Sequence, residues 1–313
     1  MLCTALFACT VSRTRRAQDI PLPLSNPRLL EMFLDRNRAS NGQSLGQMAW
    51  AGEFVGKWLT HTAQLYRLTK HAELRATVSM ALAQLTKYQA ADGYLGPFPD
   101  AKGPDGLRTM KAGWDSWGHY HICLGCLLWH EATGGSDPVP LAIATKISKL
   151  MITTFPGSDP HKFFNQGSLE QNMAILHAMS LMYSRTGDPK LLTFCKMVVQ
   201  ELQMPPAGDY VRNALKGQEF YKGSQPRWEA LCGIIGFAEL FHATGEADLS
   251  TAYQQIWWSL CQYERHNQGG MMSGEQARGV RTNPGHVLLL LLLLLLWLLI
   301  LWCIAACFCW LSG

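Results

Sequence analysis

Apolar residues recur at three- and four-residue steps along most of this chain. Leu231, Ile234, Ile235, Ala238 and Phe241 form one such stripe, the spacing of a helix with one buried face. No window alternates with period two for long enough to read as a strand. A turn signature punctuates the helices: Y-R-L-T-K-H-A-E-L at 66–74, H-E-A-T-G-G-S-D at 130–137, Y-S-R-T-G-D-P-K-L-L at 183–192 and F-H-A-T-G-E-A-D-L at 241–249. It returns about every 60 residues, the length of a helix pair with its connections. Gly134, Gly187 and Gly245 supply the left-handed residue that ends a helix. Asp188 caps the next helix, with Pro189 in its first turn. The first copy carries Lys70-His71 where the others have glycine. The pattern predicts a ring or solenoid of α-hairpins, at least four pairs from about 51 to 266, preceded by a helix over 27–38. Loops are expected at 91–113, 155–167 and 205–225. Long loops on one side of a helical ring build its binding face.

A different pattern closes the chain. From Val287 to Leu311 no residue is charged, and Leu288 to Leu296 is unbroken leucine. About 20 apolar residues suffice for a helix to cross a bilayer, so this stretch predicts a single C-terminal span. Arg278, Arg281 and His286 precede it and no charge follows, which places the domain on the cytoplasmic side. The N-terminus runs apolar then basic, the reverse of a secretory signal. No Asn-x-Ser/Thr sequon occurs.

Charge and cysteine usage narrow the function classes. The chain has 27 Lys+Arg against 23 Asp+Glu, a balance without the basic patch that nucleic-acid partners require. Arg13, Arg15 and Arg16 make one short solvated cluster. Of the 10 cysteines, Cys3 and Cys9 lie at the N-terminus and Cys303, Cys307 and Cys309 in the apolar tail; the other five are spread through helical, apolar surroundings, as reduced core cysteines are. Cys123-x-x-Cys126 has redox or zinc spacing but no second pair at zinc-finger distance, and reads as two small residues in mid-helix.

Polar and aromatic residues interrupt the first helix of each pair. They are Glu53 and Lys57-Trp58, then Trp114, Asp115, Trp117, His119 and His121. Glu170, Gln171 and Asn172 follow, and then Arg227, Trp228 and Glu229. If the first helices line the inside of the ring, these groups converge at one end of its cavity. Tryptophans beside carboxylates, amides and imidazoles suit a carbohydrate, whose C–H faces stack on rings while its hydroxyls need polar partners. The competing reading makes them helix caps and satisfied core groups. His119 and His121 alternate on a helix and so point apart; one of the two lining the cavity is expected, rather than both binding a metal. Glu275 stands in G-G-M-M-S-G-E at 269–275, a carboxylate on a glycine-rich loop suited to general acid–base work.

Several stretches together resemble a known family. They are N-P-R-L-L-E-M-F at 26–33, G-E-F-V-G-K-W-L at 52–59, D-G-Y-L-G at 92–96, W-D-S-W-G-H-Y-H at 114–121, the T-G turns, and G-G-M-M-S-G-E at 269–275. In order and spacing these resemble the N-terminal catalytic region of the β-L-arabinofuranosidases, glycoside hydrolase family 127, over about 26–279. The resemblance implies an (α/α)6 barrel of the six-hairpin type, with Glu275 matching the acid/base glutamate. His119 or His121 would match the pocket histidine. It also implies retaining hydrolysis by a cysteine thiolate that a zinc ion holds, with ligands from a Glu-x-Cys motif after the acid/base glutamate. After Glu275 this chain reads Q-A-R-G-V-R-T-N-P-G-H and then leucine. Zinc is therefore expected in complete members, and no metal ligand or cofactor is assigned here.

The expected fold is all-α, an incomplete (α/α)6-type barrel of helical hairpins followed by one C-terminal transmembrane helix. An N-terminal extension occupies 1–25, the truncated domain 26–280, a linker 281–286 and the span 287–311. The expected function is a glycoside hydrolase-like protein that hydrolyses or binds terminal arabinofuranosyl or related sugars. Glu275 would be catalytic. Glu53, Trp58, Trp114, Trp117, His119, His121, Glu170, Asn172, Trp228 and Glu229 would bind the sugar. The alternative is a non-catalytic, membrane-anchored helical module that binds a glycan or a protein partner. A third reading takes the leucine tail as a gene-model error on a soluble hydrolase.

Overall fold

The computed structural model describes Leu30, Phe33 and residues 52–97, 114–155, 169–224, 226–265, 270–271 and 275–279. Four helical hairpins carry the structure. Helix α1 (Glu53–Thr69) pairs with α2 (Ala72–Tyr88), and α3 (Asp115–Ala132) with α4 (Val139–Thr154). A short α5 (Leu169–Met173) leads into α6 (Ile175–Thr186), which pairs with α7 (Pro189–Leu202). After α8 (Tyr210–Leu215) and a 3-10 turn (Phe220–Lys222) come α9 (Trp228–Thr244) and α10 (Ala247–Tyr263). Of the helix expected over 27–38, Leu30 and Phe33 are helical and buried.

The turns follow their local chemistry. Gly187 and Gly245 end α6 and α9 at φ of 66° and 76°, each returning its N–H to the residue four back. Asp188 then accepts the Lys190 N–H at 2.9 Å, capping α7 with Pro189 at its first position. In the first copy Lys70 itself takes the left-handed conformation, φ 53°. Its Nζ bonds to the Ala132 carbonyl at the end of α3, which offsets the steric cost that a side chain incurs there.

The first helices of the pairs form an inner row. The most extensive packing joins α1 to α3 and α6 to α9, with α3 against α6 between them. Glycines allow this closeness. A Cβ on Gly56 would stand 2.2 Å from the His121 carbonyl carbon, and one on Gly125 2.6 Å from Leu59 Cβ. Gly236 meets the backbone of His177 in the same way, at 2.8 Å. Trp129, Phe155 and Phe237 fill the core behind this row.

The structure corrects two expectations. The fold is all-α, but the expected membrane-spanning helix is not carried by it. No helix among the described residues is long and apolar enough to cross a membrane. The longest, α3, has 18 residues and carries Asp115, His119, His121 and Glu131, against about 20 apolar residues for a span. The stretch 287–311 lies outside the described residues, as do loop residues 98–113 and 156–168. The second correction is at 205–225, expected as loop. Tyr210, Val211 and Ala214 are spaced for one helical face and are buried, so the segment folds as α8 and packs on α10.

Candidate functional site

The N-terminal ends of α1, α3 and α9 surround a cavity of about 720 Å³, within the range of small-molecule sites. From α1 come Glu53 and Lys57, and from the start of α3 come Trp114, Trp117 and His121. Arg227, Trp228, Glu229 and Cys232 enter from α9, and Glu275 from the chain beyond α10. Residues from the first, second and fourth hairpins thus meet at one point.

Each wall is braced. Glu53 accepts from Lys57 Nζ at 2.9 Å and from the Trp117 indole N–H. Lys57 in turn lies 5.5 Å above the Trp117 ring. Trp117 stands edge-on to His121 at 4.3 Å and near-perpendicular to Trp114 at 6.2 Å. Three tryptophans and a histidine therefore offer flat apolar faces, with carboxylates at their rims.

The opposite wall is charged. Arg227 donates through Nε to Glu229 Oε2 and through Nη2 to Glu229 Oε1, both at 3.3 Å. The same Nη2 reaches Glu275 Oε2 at 3.4 Å. Glu275 is brought there by its backbone. Its carbonyl accepts the Trp228 N–H, the Ala277 N–H reaches the Pro226 carbonyl at 2.8 Å, and Arg227 and Gln276 pair as an antiparallel bridge. The Glu275 side chain remains largely exposed, whereas that of Glu229 is mostly buried.

His121 is the histidine that lines the cavity. Burial, the charge of Lys57 and the neighbouring His177 push its pKa down to about 3, so the ring is neutral. Its Nε2 finds no hydrogen-bond partner among the described residues. His119 turns the other way: Nε2 accepts the Leu95 N–H at 2.8 Å while Nδ1 donates to the Asp115 carbonyl at 2.8 Å. Asp115 also accepts from the Tyr94 hydroxyl at 3.0 Å. His119 thereby fastens the D-G-Y-L-G turn onto α3 and does not line the cavity.

Three more of the expected site residues lie elsewhere. Glu170 and Asn172 are buried on α5 and are not among the residues of the cavity wall. Burial pushes the Glu170 carboxyl up, and the Arg227 charge partly opposes this. Trp58 packs against the core. Two wall residues, Lys57 and Arg227, stand out in sequence only as neighbours of stronger signals. Cys232 has no sequence signal at all, being one apolar residue in an apolar helix.

The zinc-held thiolate that the family resemblance implies would need a deprotonated cysteine and uncommitted carboxylates on this wall. Cys232 is the cysteine on the cavity wall, and burial pushes its thiol up to about 11, opposed by a hydrogen bond with Tyr120. The charged partners Lys57 and Arg227 already occupy Glu53 and Glu229. No group of three or more His, Cys, Asp or Glu among the described residues is placed to hold a metal ion. These residues do not fit a zinc-thiolate centre.

Comparison with known proteins points one way. The family described as β-L-arabinofuranosidase, GH127 catalytic domain, matches residues 9–287. Among solved structures, Ara127N-Se, a GH127 β-L-arabinofuranosidase from Geobacillus stearothermophilus T6, aligns with TM-score 0.57 and 19% identity over 80% of this chain. BT3674, a GH127 β-arabinofuranosidase, aligns with TM-score 0.59 and 18% identity, also over 80%. At this identity the likeness is one of fold. The chain spans 42% and 41% of those two proteins. No curated protein matches it.

Proposed function

Because this chain belongs to the β-L-arabinofuranosidase GH127 catalytic-domain family, we propose that it is a glycoside hydrolase acting on terminal β-L-arabinofuranosyl or related sugars. The cavity between α1, α3 and α9 receives the sugar. Trp114, Trp117 and Trp228 stack on its apolar face, while Glu53 and His121 take hydroxyl groups. Glu275 is the general acid that protonates the departing oxygen. The observation that carries this reading is the convergence of three tryptophans, a neutral histidine and three glutamates on one cavity of about 720 Å³.

The acid role has a distinctive test. A leaving group that departs unaided needs no proton, so Glu275→Gln should spare an activated aryl glycoside more than an alkyl one. The expected loss of kcat is on the order of 10²–10⁴-fold with methyl β-L-arabinofuranoside, and clearly smaller with the 4-nitrophenyl analogue. Equal losses on both substrates would remove Glu275 from the acid role. Saturable binding of L-arabinose without turnover of either glycoside would instead make the chain a glycan-binding module.

A further inference from the structure

The last hairpin has an apolar side that nothing among the described residues covers. No large apolar side chain of α3, α4, α6 or α7, the two middle hairpins, is exposed. On the last hairpin three are: Ile235 of α9 at 39%, and Trp257 and Trp258 of α10 at 47% and 64%. We infer that the open face of α9 is a docking surface, and that its occupant is the apolar segment 287–311 of the same chain, laid along α9 as an intramolecular cap.

The composition of α9 fits burial on every side. Its 17 residues include two carboxylates, Glu229 and Glu239, and no Lys or Arg. A helix that is apolar nearly all round belongs inside a core. One face is already used: Gly233 and Gly236 approach the backbone of Met173 and His177, and Phe237 and Leu240 are buried beside them. Leu231, Ile235 and Ala238 follow one another at steps of four and three. At about 3.6 residues per turn they fall on the opposite side of the helix. There Leu231 and Ala238 are half-buried and Ile235 is exposed. Stacked hairpins need a cap where such a face ends the stack, since it is otherwise left to water.

The chain brings a cover to this place. The Ala277 N–H bonds to the Pro226 carbonyl just before α9 begins, and Gly279 follows against the Tyr221 ring. Residues 280–286 then separate Gly279 from Val287. Seven residues reach about 23–25 Å when extended, well beyond the roughly 8–10 Å between packed helix axes. Asn283-Pro284-Gly285 supplies the turn chemistry that redirects a chain. From Val287 to Leu311 no residue is charged, so burying this segment strands no ion. Tethering decides between this segment and a second copy of the chain. A short linker holds its end at an effective concentration of about millimolar, above that of a second copy in dilute solution.

Photo-crosslinking of the full chain tests the docking. With p-benzoylphenylalanine in place of Ile235, irradiation should join position 235 to 287–311 within one molecule. Mixing light and isotope-heavy chains should therefore give few mixed products. The same label in place of Met80, exposed on α2, should give several-fold less of that product. In a second full-length variant, Leu292→Glu with Leu299→Glu, amide exchange over 231–238 should speed by about tenfold, with α3 as protected as in the parent. The inference is overturned if position 235 joins mainly heavy to light chains, which makes a second copy the occupant. It is overturned if position 80 gives an equal yield, or if neither label reaches 287–311. Flotation with phosphatidylcholine vesicles in that last case would make lipid the cover. Exchange over 231–238 that the two glutamates leave unchanged would also overturn it. Each of these results leaves the hydrolase reading untouched, because the docking does not rest on it.

Discussion

Burial decides the protonation of two histidines that face the centre of the inner row. His121 and His177 are pushed down from 6.5 to about 3 and about 4, chiefly by desolvation. An unfolded chain binds these protons near 6.5, while the folded chain does not until about 4 or below. Between those values the unfolded state holds more protons, so stability falls as pH drops. Each histidine contributes a slope of up to about 1.4 kcal/mol per pH unit. Glu170, whose carboxyl burial pushes up, works in the opposite sense. Urea midpoints measured from pH 7 to 4.5 should decline, and His177→Gln, which keeps an acceptor for the Tyr120 hydroxyl, should make the decline shallower. An unchanged slope would mean that His177 titrates normally. Positions 119 and 121 show where residue-level reading of sequence stops. His119 and His121 are equally polar and two residues apart, and one of the two was expected to line the cavity. Which one does so depends on how α3 is rotated against α1 and the 92–96 turn, a tertiary fact. Glu170 and Asn172 show the same limit: a polar residue on an inner helix can lie outside the wall.

At the scale of elements, the turns were the most legible feature because their causes are local. Gly187, Asp188 and Pro189 each act through their own backbone. Asp188→Ala should cost about 1 kcal/mol, read as a lower denaturation midpoint with an unchanged slope. The close crossing of α1 and α3 was not legible, since the glycines that permit it resemble any helix glycine. Gly56→Ala would set a methyl 2.2 Å from the His121 carbonyl carbon, and backbone cannot step aside without parting the helices. Overpacking of this kind costs about 1–3 kcal/mol or more, beyond the roughly 1 kcal/mol that alanine gains in helix propensity. Thermal melts should show a clear loss for Gly56→Ala. Gly52→Ala, whose added methyl would sit 3.6 Å from its nearest neighbour, should melt within about 2 °C of the parent. Equal behaviour of the two would show that α1 and α3 pack less closely than the crossing indicates.

At the scale of the whole molecule, the cavity exists because segments apart in sequence are tied together. Glu264, at the end of α10, is 1% exposed and accepts the N–H groups of Arg278 and Gly279 at 2.8 and 2.6 Å. Gly279 takes φ 67° against the Tyr221 ring, where a Cβ would come within 2.7 Å. Tyr221 packs in turn on Tyr263 of α10. The 275–279 strip is thus pinned at one end by Glu264 at the end of α10 and at the other by Pro226, Arg227 and Trp228 at the start of α9. Glu264 touches nothing in the cavity, so its effect there must pass through this strip. Glu264→Ala removes Oε1, the single oxygen that accepts both N–H groups, and should speed amide exchange at Arg278 and Gly279. The four hairpins should keep their protection. Loss of alignment of about an ångström at Glu275 should then lower kcat by up to about a hundredfold, with little change in KM for the sugar. Glu264→Gln retains one carbonyl acceptor and should recover most of the exchange protection. Unchanged exchange at those two amides in Glu264→Ala would show that the strip is held from the α9 side alone.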